Sequence, residues 1–444
     1  MKTHSCPAAL LLYGSHALST AGERAFEFLI GLILIKVYND SLFMVALFGL
    51  LDSLVVSLAS SHLGILVDSL DRLKGTCFMY LGQNVGIFVA SIGFYILLSR
   101  SEHDSVGDYY MVVSMSIMAA CLSSLGAMGA TISVERGWTK ALCGEDISML
   151  SSVNAIMKRI DLVSLIASPI LVGILIESQG YLTCLVCLCG FNVGSFILEC
   201  YFLQRAMIYE ENLRRASPSQ ERPAETQASS MAAGLTLYLK QDCVWYAASL
   251  ALVYLTVMSF GTIMTGYLAW RGLGESVLSI FRGIGAALGV GATVFFPFAS
   301  TRWGLPKSAL FAICGQCICI ILAVLPIVWV GDQFGKAAEM SLLLFLSLSR
   351  FFLWLFDLSV NQIMQLESSK DSVGAIFGIQ NAFQSGFQTV AYVMTMVFSN
   401  PHHFEVLMLG STLVVVVASI ATFVGHRKHN HENEEESVEL MQHK

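Results

Sequence analysis

Apolar runs of about 20 residues or more, the length that crosses the hydrocarbon core of a bilayer, recur along nearly all of this 444-residue chain. No other feature restricts the fold so tightly. Hydrocarbon offers no water to backbone N–H and C=O groups, so only helices and closed barrels can span it. The runs are continuous and do not alternate, which excludes a β-barrel. Only 13% of the residues are charged, about half the share in a soluble domain. The predicted class is an all-α polytopic membrane protein of about twelve spans, near 8–37, 42–67, 75–99, 107–134, 148–176, 180–204, 238–268, 274–300, 306–331, 338–366, 372–399 and 403–425. The first run is too long, and too charged at Glu23 and Arg24, for a cleaved signal peptide, so it is expected to remain.

The longest polar stretch, Arg205 to about Gly234, holds EENLRRASPSQERPAETQASS. Charge, Ser, Pro and Gln in that density predict a flexible linker. It sets the expected domains: an N-terminal six-helix half over 1–204, a linker over 205–237, a C-terminal six-helix half over 238–425, and an acidic, His-bearing tail over 426–444. Two halves rocking about a central site is the plan of major-facilitator transporters. With the N-terminus inside, inner loops hold roughly sixteen basic residues, and outer loops about four (Lys36, Arg100, Arg271, Lys336). The bias places both termini and the linker in the cytoplasm, and the plasma membrane is the expected location. The sequon Asn39-Asp40-Ser41 lies on the outer side, too near the membrane to expect use.

The net charge of −7 comes partly from the tail segment HENEEESVEL, and no basic stripe suggests nucleic acid. No catalytic nucleophile, nucleotide loop or redox centre is evident, so the chain is read as no enzyme, without a cofactor. Most of the twelve cysteines lie in apolar runs. Cys184/Cys187 and Cys314/Cys317 have C-x-x-C spacing without polar neighbours and read as packing residues. His426, His429 and His431 read as part of a solvated tail.

The first run, LLLYGSHALSTAGERAFEFLIGLILIKVY from Leu10 to Tyr38, carries Glu23, Arg24 and Glu27 at its middle. Helical spacing stacks Ser19, Glu23 and Glu27 on one face. A charge at the bilayer centre costs roughly 2.5 kcal/mol or more, so these acids need a partner, a cavity or a cargo. Span five adds Lys158, Arg159 and Asp161, with Pro169 beyond them, and span six adds Asn192, Ser195, Phe196 and Glu199. Asp161 reads either as a second carboxylate facing Glu23 or as an ion-pair partner of Arg24 or Arg159. The loop after span two has the spacing G-x-x-x-D-x-x-x-R-x-K from Gly64 through Asp68 and Arg72 to Lys74. It resembles the cytoplasmic loop signature of major-facilitator transporters, in which Asp68 would pair with a basic residue of another helix when the inner gate is shut. Arg136 is assigned to the same gate. Arg350 and Asp357, two turns apart on span ten, are expected to form a structural or gating charge pair. Gly261, Gly266 and Gly272 would allow span seven to unwind along a cavity. Asp52 and Arg282 are further intramembrane charges without an assigned role.

The stretches YGSHALSTAGERAFEF, VDSLDRLK, KRIDLVSLIASP, FNVGSF, YLTVMSFGTIMTGY, FLWLFDLSVNQIMQ and GAIFGIQNAFQ follow one another in both halves. Together they resemble the ferroportin family of iron exporters. The resemblance implies twelve spans with a divalent-metal site in each half. In the first site the family's span-one Asp falls on Glu23 and its next-turn His on Glu27. The span-five Asp is kept as Asp161 and the span-six Asn as Asn192. In the second site the family's Cys and His fall on Thr262 and Ala391, so both strong ligands are missing. An all-oxygen first site, Glu23 and Asp161 assisted by Glu27, Asn192 and Ser19, suits hard cations such as Mn²⁺, Fe²⁺ or Ca²⁺.

The expected function is therefore export of Fe²⁺, with Mn²⁺ or Co²⁺ possible cargoes, by alternating access. Carboxylates must lose protons to bind metal, which makes proton coupling natural. The partners are a divalent metal and the bilayer, and the chain is expected to be a monomer. Hepcidin, the hormone that engages the family's span-seven Cys, is not expected to act where Thr262 stands. A transporter of another solute on the same scaffold, and a non-transporting receptor or scaffold, are the alternatives.

Overall fold

The computed structural model describes all residues except 1–5, 38–42, 100–105, 216–230, 260–263, 265–266, 269–270, 272, 274, 331–334, 369–371, 399–403 and 443–444. Every secondary-structure element among the described residues is a helix. The sequon, Thr262 and the three glycines of span seven lie outside the described residues. Among the described residues, eight helices are long and apolar enough to cross a membrane.

The chain divides into two compact units, Met1–Leu235 with Ser369–Ala382, and Thr236–Ser368 with Phe383–Lys444. The first holds α1 (Pro7–Val37), α2 (Phe43–Ser69), α3 (Arg72–Ser99), α4 (Val106–Thr131), a π-helical turn (Ile132–Trp138), α5 (Thr139–Cys143), α6 (Ile147–Tyr209) and α7 (Glu211–Arg215). α8 (Met231–Leu239) leads into the second unit. That unit holds α9 (Val244–Val253), α10 (Glu275–Trp303), α11 (Leu305–Val330), α12 (Gly335–Glu367) and α14 (Phe404–Gln442). α13 (Val373–Val397) contributes its first turns to the first unit and the rest to the second.

At 31 residues α1 is about 46 Å long, ample to span. Its buried face is Leu12, Phe26, Leu29, Ile30, Ile33 and Leu34, packed with α3, α4 and α6. α6 has 63 residues, some 94 Å if straight, about three times a hydrocarbon core. It is two helices run together and broken at Gly180 (φ 81°, ψ 170°), a backbone region that essentially only glycine enters. Asp146 starts α6 by accepting a hydrogen bond from the Met149 N–H at 2.9 Å, a side-chain N-cap.

Three stretches carry local structure that the sequence reading did not specify. The linker stretch 205–237 is not featureless, because α6 continues to Tyr209 and α7 and α8 lie within or across it. The tail is helical to Gln442, since nothing after Gly425 is Pro or Gly and its many Glu residues favour helix. In span seven the helix α9 ends at Val253 and the backbone from Tyr254 to Ser259 is non-helical.

Candidate functional site

α1 packs along α6 and against α3, and the polar residues of all three meet on one wall of the first unit. Exposure rises along the predicted face. Ser19 is buried, Glu23 is half-buried and Glu27 is exposed. The Ser19 hydroxyl donates to Gln83 Oε1 of α3 at 3.0 Å. Asn192 is buried on α6 and gives its Nδ2 to the Leu188 carbonyl at 2.9 Å. Its Oδ1 occupies the space that any side chain at Gly22 would fill, one residue from Glu23. Gly22 is thus what lets the span-six amide reach α1. Ser195 donates to the Asn192 carbonyl at 3.0 Å.

The charged residues form a network centred on Arg24. Its guanidinium lies 2.9 Å from Glu27 Oε2 and 3.5 Å from Asp161 Oδ1, and Lys158 Nζ lies 3.4 Å from Asp161 Oδ2. Of the two readings for Asp161, the structure shows the ion pair, with Arg24 and Lys158 as its cations. Glu23 has no ion pair among the described residues, although Arg24, Glu27, Asp161 and Asp52 all lie close enough to act on it electrostatically. Asp52, without a role in the sequence, therefore belongs to the same acidic neighbourhood. No group of three or more His, Cys, Asp and Glu side chains gathers to hold a metal among the described residues. Neutral oxygens flank this part of α1, Asn192 Oδ1 against Gly22 and the Ser19–Gln83 pair one turn before Glu23.

Gln83 and the pairing of His16 with Glu135 were missed in the sequence, whereas Glu199 was named there without a role. Gln83 is fully buried on α3 with no charge to draw notice. Glu199 is 1% exposed and its Oε2 has no hydrogen-bond partner, while the Ser15 hydroxyl beside it lies 3.1 Å from Tyr80 Oη. His16 Nε2 lies 3.4 Å from Glu135 Oε1, and both are buried. Glu135 sits in the π-helical turn, a distortion often found at functional sites and without a signature in the sequence.

The gate residues also find partners in the first unit. Asp68 accepts from the backbone N–H groups of Gly374 at 2.8 Å and Ala375 at 2.7 Å. The expectation named a basic side chain and overlooked a helix N-terminus, whose free N–H groups and positive dipole end favour an anion. Arg72 donates to the Leu213 carbonyl at 2.9 Å, and Arg136 lies 5.0 Å from the Phe377 ring and 3.6 Å from Glu135. Gly64 makes the approach possible, since a Cβ there would collide with the Gly374 carbonyl. Gly64→Ala is expected to cost about 1–3 kcal/mol by overpacking. Gly31→Ala, where nothing lies within 4 Å of such a Cβ, is expected to be neutral or slightly stabilising. Thermal unfolding of the two purified variants checks this.

In the second unit, Arg350 donates to the Met258 carbonyl at 2.8 Å and to Ser349, and not to Asp357 as expected. Met258 lies in the non-helical stretch that follows α9, where a carbonyl has no partner in a helix, and the guanidinium takes it. Asp357 is buried. Ala391 is buried on α13 and has no side chain to ligate a metal. All twelve cysteines are free thiols.

The Ferroportin1 (FPN1) family profile matches residues 7–415. The chain is 28% identical over 448 residues to "Solute carrier family 40 member 1" of Oryza sativa subsp. japonica, covering 96% of this chain and 92% of that one. It is 25% identical to "Ferroportin" of Homo sapiens, covering 94% and 90%. Among solved structures it resembles a bacterial homologue of the iron transporter ferroportin in an outward-facing state, with a TM-score of 0.83 and 21% identity over 94% of this chain and 99% of that one. It also resembles the major-facilitator transporter FucP, with a TM-score of 0.68 and 11% identity over 95% and 99%.

Proposed function

This chain belongs to the Ferroportin1 family, and from that premise we propose that it exports Fe²⁺ by alternating access between two six-helix halves. It is a multi-pass membrane transporter and not an enzyme. The observation that supports a cation cargo is Glu23, a carboxylate in the middle of α1 without an ion pair among the described residues, with the Asn192 oxygen against the preceding Gly22 and Ser19 one turn before it. A carboxylate with neutral oxygens suits a hard divalent cation, so Mn²⁺ and Co²⁺ are alternative cargoes to Fe²⁺. Asp161 and Glu27 lie next to this site, held by Arg24, and would join the ligand set as the cation displaces the guanidinium. Metal binding expels the protons of its ligands, which would couple export to proton entry. Asp68, Arg72, Arg136, Arg350 and Asp357 would serve the gates. Both termini would face the cytoplasm, and the plasma membrane is the proposed location. A monomer without hepcidin control completes the reading, because Thr262 and Ala391 supply neither thiolate nor imidazole.

The test is flux into proteoliposomes loaded with a metal-sensitive dye. Fe²⁺ kept reduced, Mn²⁺ and Co²⁺ are expected to quench the dye faster than in protein-free vesicles. Equal rates for all three metals with and without protein would reject metal transport and favour a different solute on this scaffold.

A further inference from the structure

The second unit carries a groove of about 570 Å³ between α11 and α12 that the metal pathway does not use. The volume falls in the range of about 300–1,000 Å³ typical of small-ligand sites. One wall is a stripe of α11, running Lys307, Phe311, Cys314, Ile318 and Leu322. These steps of three and four residues keep one helix face and cover about 22 Å. The other wall is Phe345, Leu348 and Phe352 of α12. The Phe352 ring forms the floor, seated where any side chain at Gly315 would have to go. Lys307 is the only charged residue of the lining among the described residues, and it stands at one end. Trp303 lies at that same end, edge-on to Phe311 with ring centroids 5.3 Å apart, and Arg302 beside it is exposed. Tryptophan and basic residues together mark the headgroup level of a membrane protein.

We propose that this groove is a binding site for one anionic phospholipid of the cytoplasmic leaflet, its phosphate on Lys307 and an acyl chain along α11. The assignment uses the proposed orientation, which puts the α10–α11 turn on the cytoplasmic side, where anionic lipids are concentrated. Length agrees. One leaflet contributes roughly 15 Å of hydrocarbon, and the groove exceeds that below a polar end. Charge agrees as well, because a groove with one cationic end and an otherwise apolar lining matches a lipid with one anionic head and an apolar tail. A peptide would leave backbone N–H and C=O groups unsatisfied against this lining.

The test is native mass spectrometry of the full-length protein, released from detergent after mixing with equal amounts of phosphatidylglycerol and phosphatidylcholine of the same acyl chains. The wild type is expected to keep one phosphatidylglycerol in about fivefold preference, the worth of a single lysine at an anionic surface. Lys307→Glu is expected to remove the preference while a lipid of either kind is still retained. Cys314→Trp, which fills the groove from an exposed position, is expected to lose the retained lipid, and Cys314→Ser to keep it. Equal retention of both lipids by the wild type would overturn the proposal. So would an unchanged lipid count in Cys314→Trp, a dimer in place of the lipid adduct, or displacement by millimolar inorganic phosphate, which would mark a free-anion site.

Discussion

Glu23→Ala combined with Asp161→Ala is expected to abolish metal-dependent stabilisation of the purified protein and to reduce metal flux to the protein-free rate. For the wild type, a metal at one hundred times its Kd adds about 2.7 kcal/mol, and this whole increment is expected to disappear. The two residues act differently. Glu23 is the carboxylate without an ion pair, so Glu23→Ala alone is expected to remove most of the increment. Asp161 already faces Arg24 at 3.5 Å and Lys158 at 3.4 Å, so Asp161→Ala alone also leaves two cations beside the site and repels the metal. Glu23→Gln and Asp161→Asn keep the shapes and remove the charges, which separates lost ligation from lost packing. Unchanged stabilisation by Fe²⁺, Mn²⁺ and Co²⁺ in the double variant would rule out a metal between α1 and α6.

Arg24→Ala is expected to produce the second large effect, with opposite signs in the absence and presence of metal. Without metal, Asp161 loses one cation and Glu27 loses its ion-pair partner. Removing one partner of a buried pair costs about 3–5 kcal/mol. About 1–2 kcal/mol is expected here, because Glu27 keeps 61% of its exposure and Asp161 keeps Lys158 at 3.4 Å. With Mn²⁺ present, the freed carboxylates can ligate a cation that no longer competes with a guanidinium. The metal-dependent increment should then exceed that of the wild type. Unfolding curves with and without Mn²⁺ measure both effects. A stability loss that Mn²⁺ restores no better than in the wild type would mean that Arg24 only holds α1 to α6 and does not compete with the cargo.

Much of the architecture is legible in the apolar runs because hydrocarbon permits so few backbone structures. The ends of α1, α3, α11 and α13 fall within a few residues of their predicted spans. The break at Gly180 in the run from Ile147 to Tyr209 falls where the predicted spans 148–176 and 180–204 meet; what spacing does not show is that the two helices run together without a loop between them. The site is legible where charge marks it. Glu23, Arg24, Glu27 and Asp161 stand out as acids and bases in a segment that penalises them. Asn192 was named as an oxygen ligand, but Gln83 does not stand out, because a neutral amide in a spanning helix has many uses.

What the sequence determined by itself is the medium and the class of structure, through the length of its apolar runs, and the residues at issue, through charges that hydrocarbon does not tolerate unpartnered. Tertiary structure alone decided who partners whom. Helical spacing places Ser19, Glu23 and Glu27 on one face, but it does not determine that Arg24, one step around the helix, gathers Glu27 and Asp161 and leaves Glu23 aside. Nor does it reveal that Asp68 meets the first turn of α13, some 300 residues along the chain. Periodicity acts through neighbours on one helix, whereas ion pairs, trans-caps and the room left by Gly22 and Gly64 depend on which helices are brought into contact.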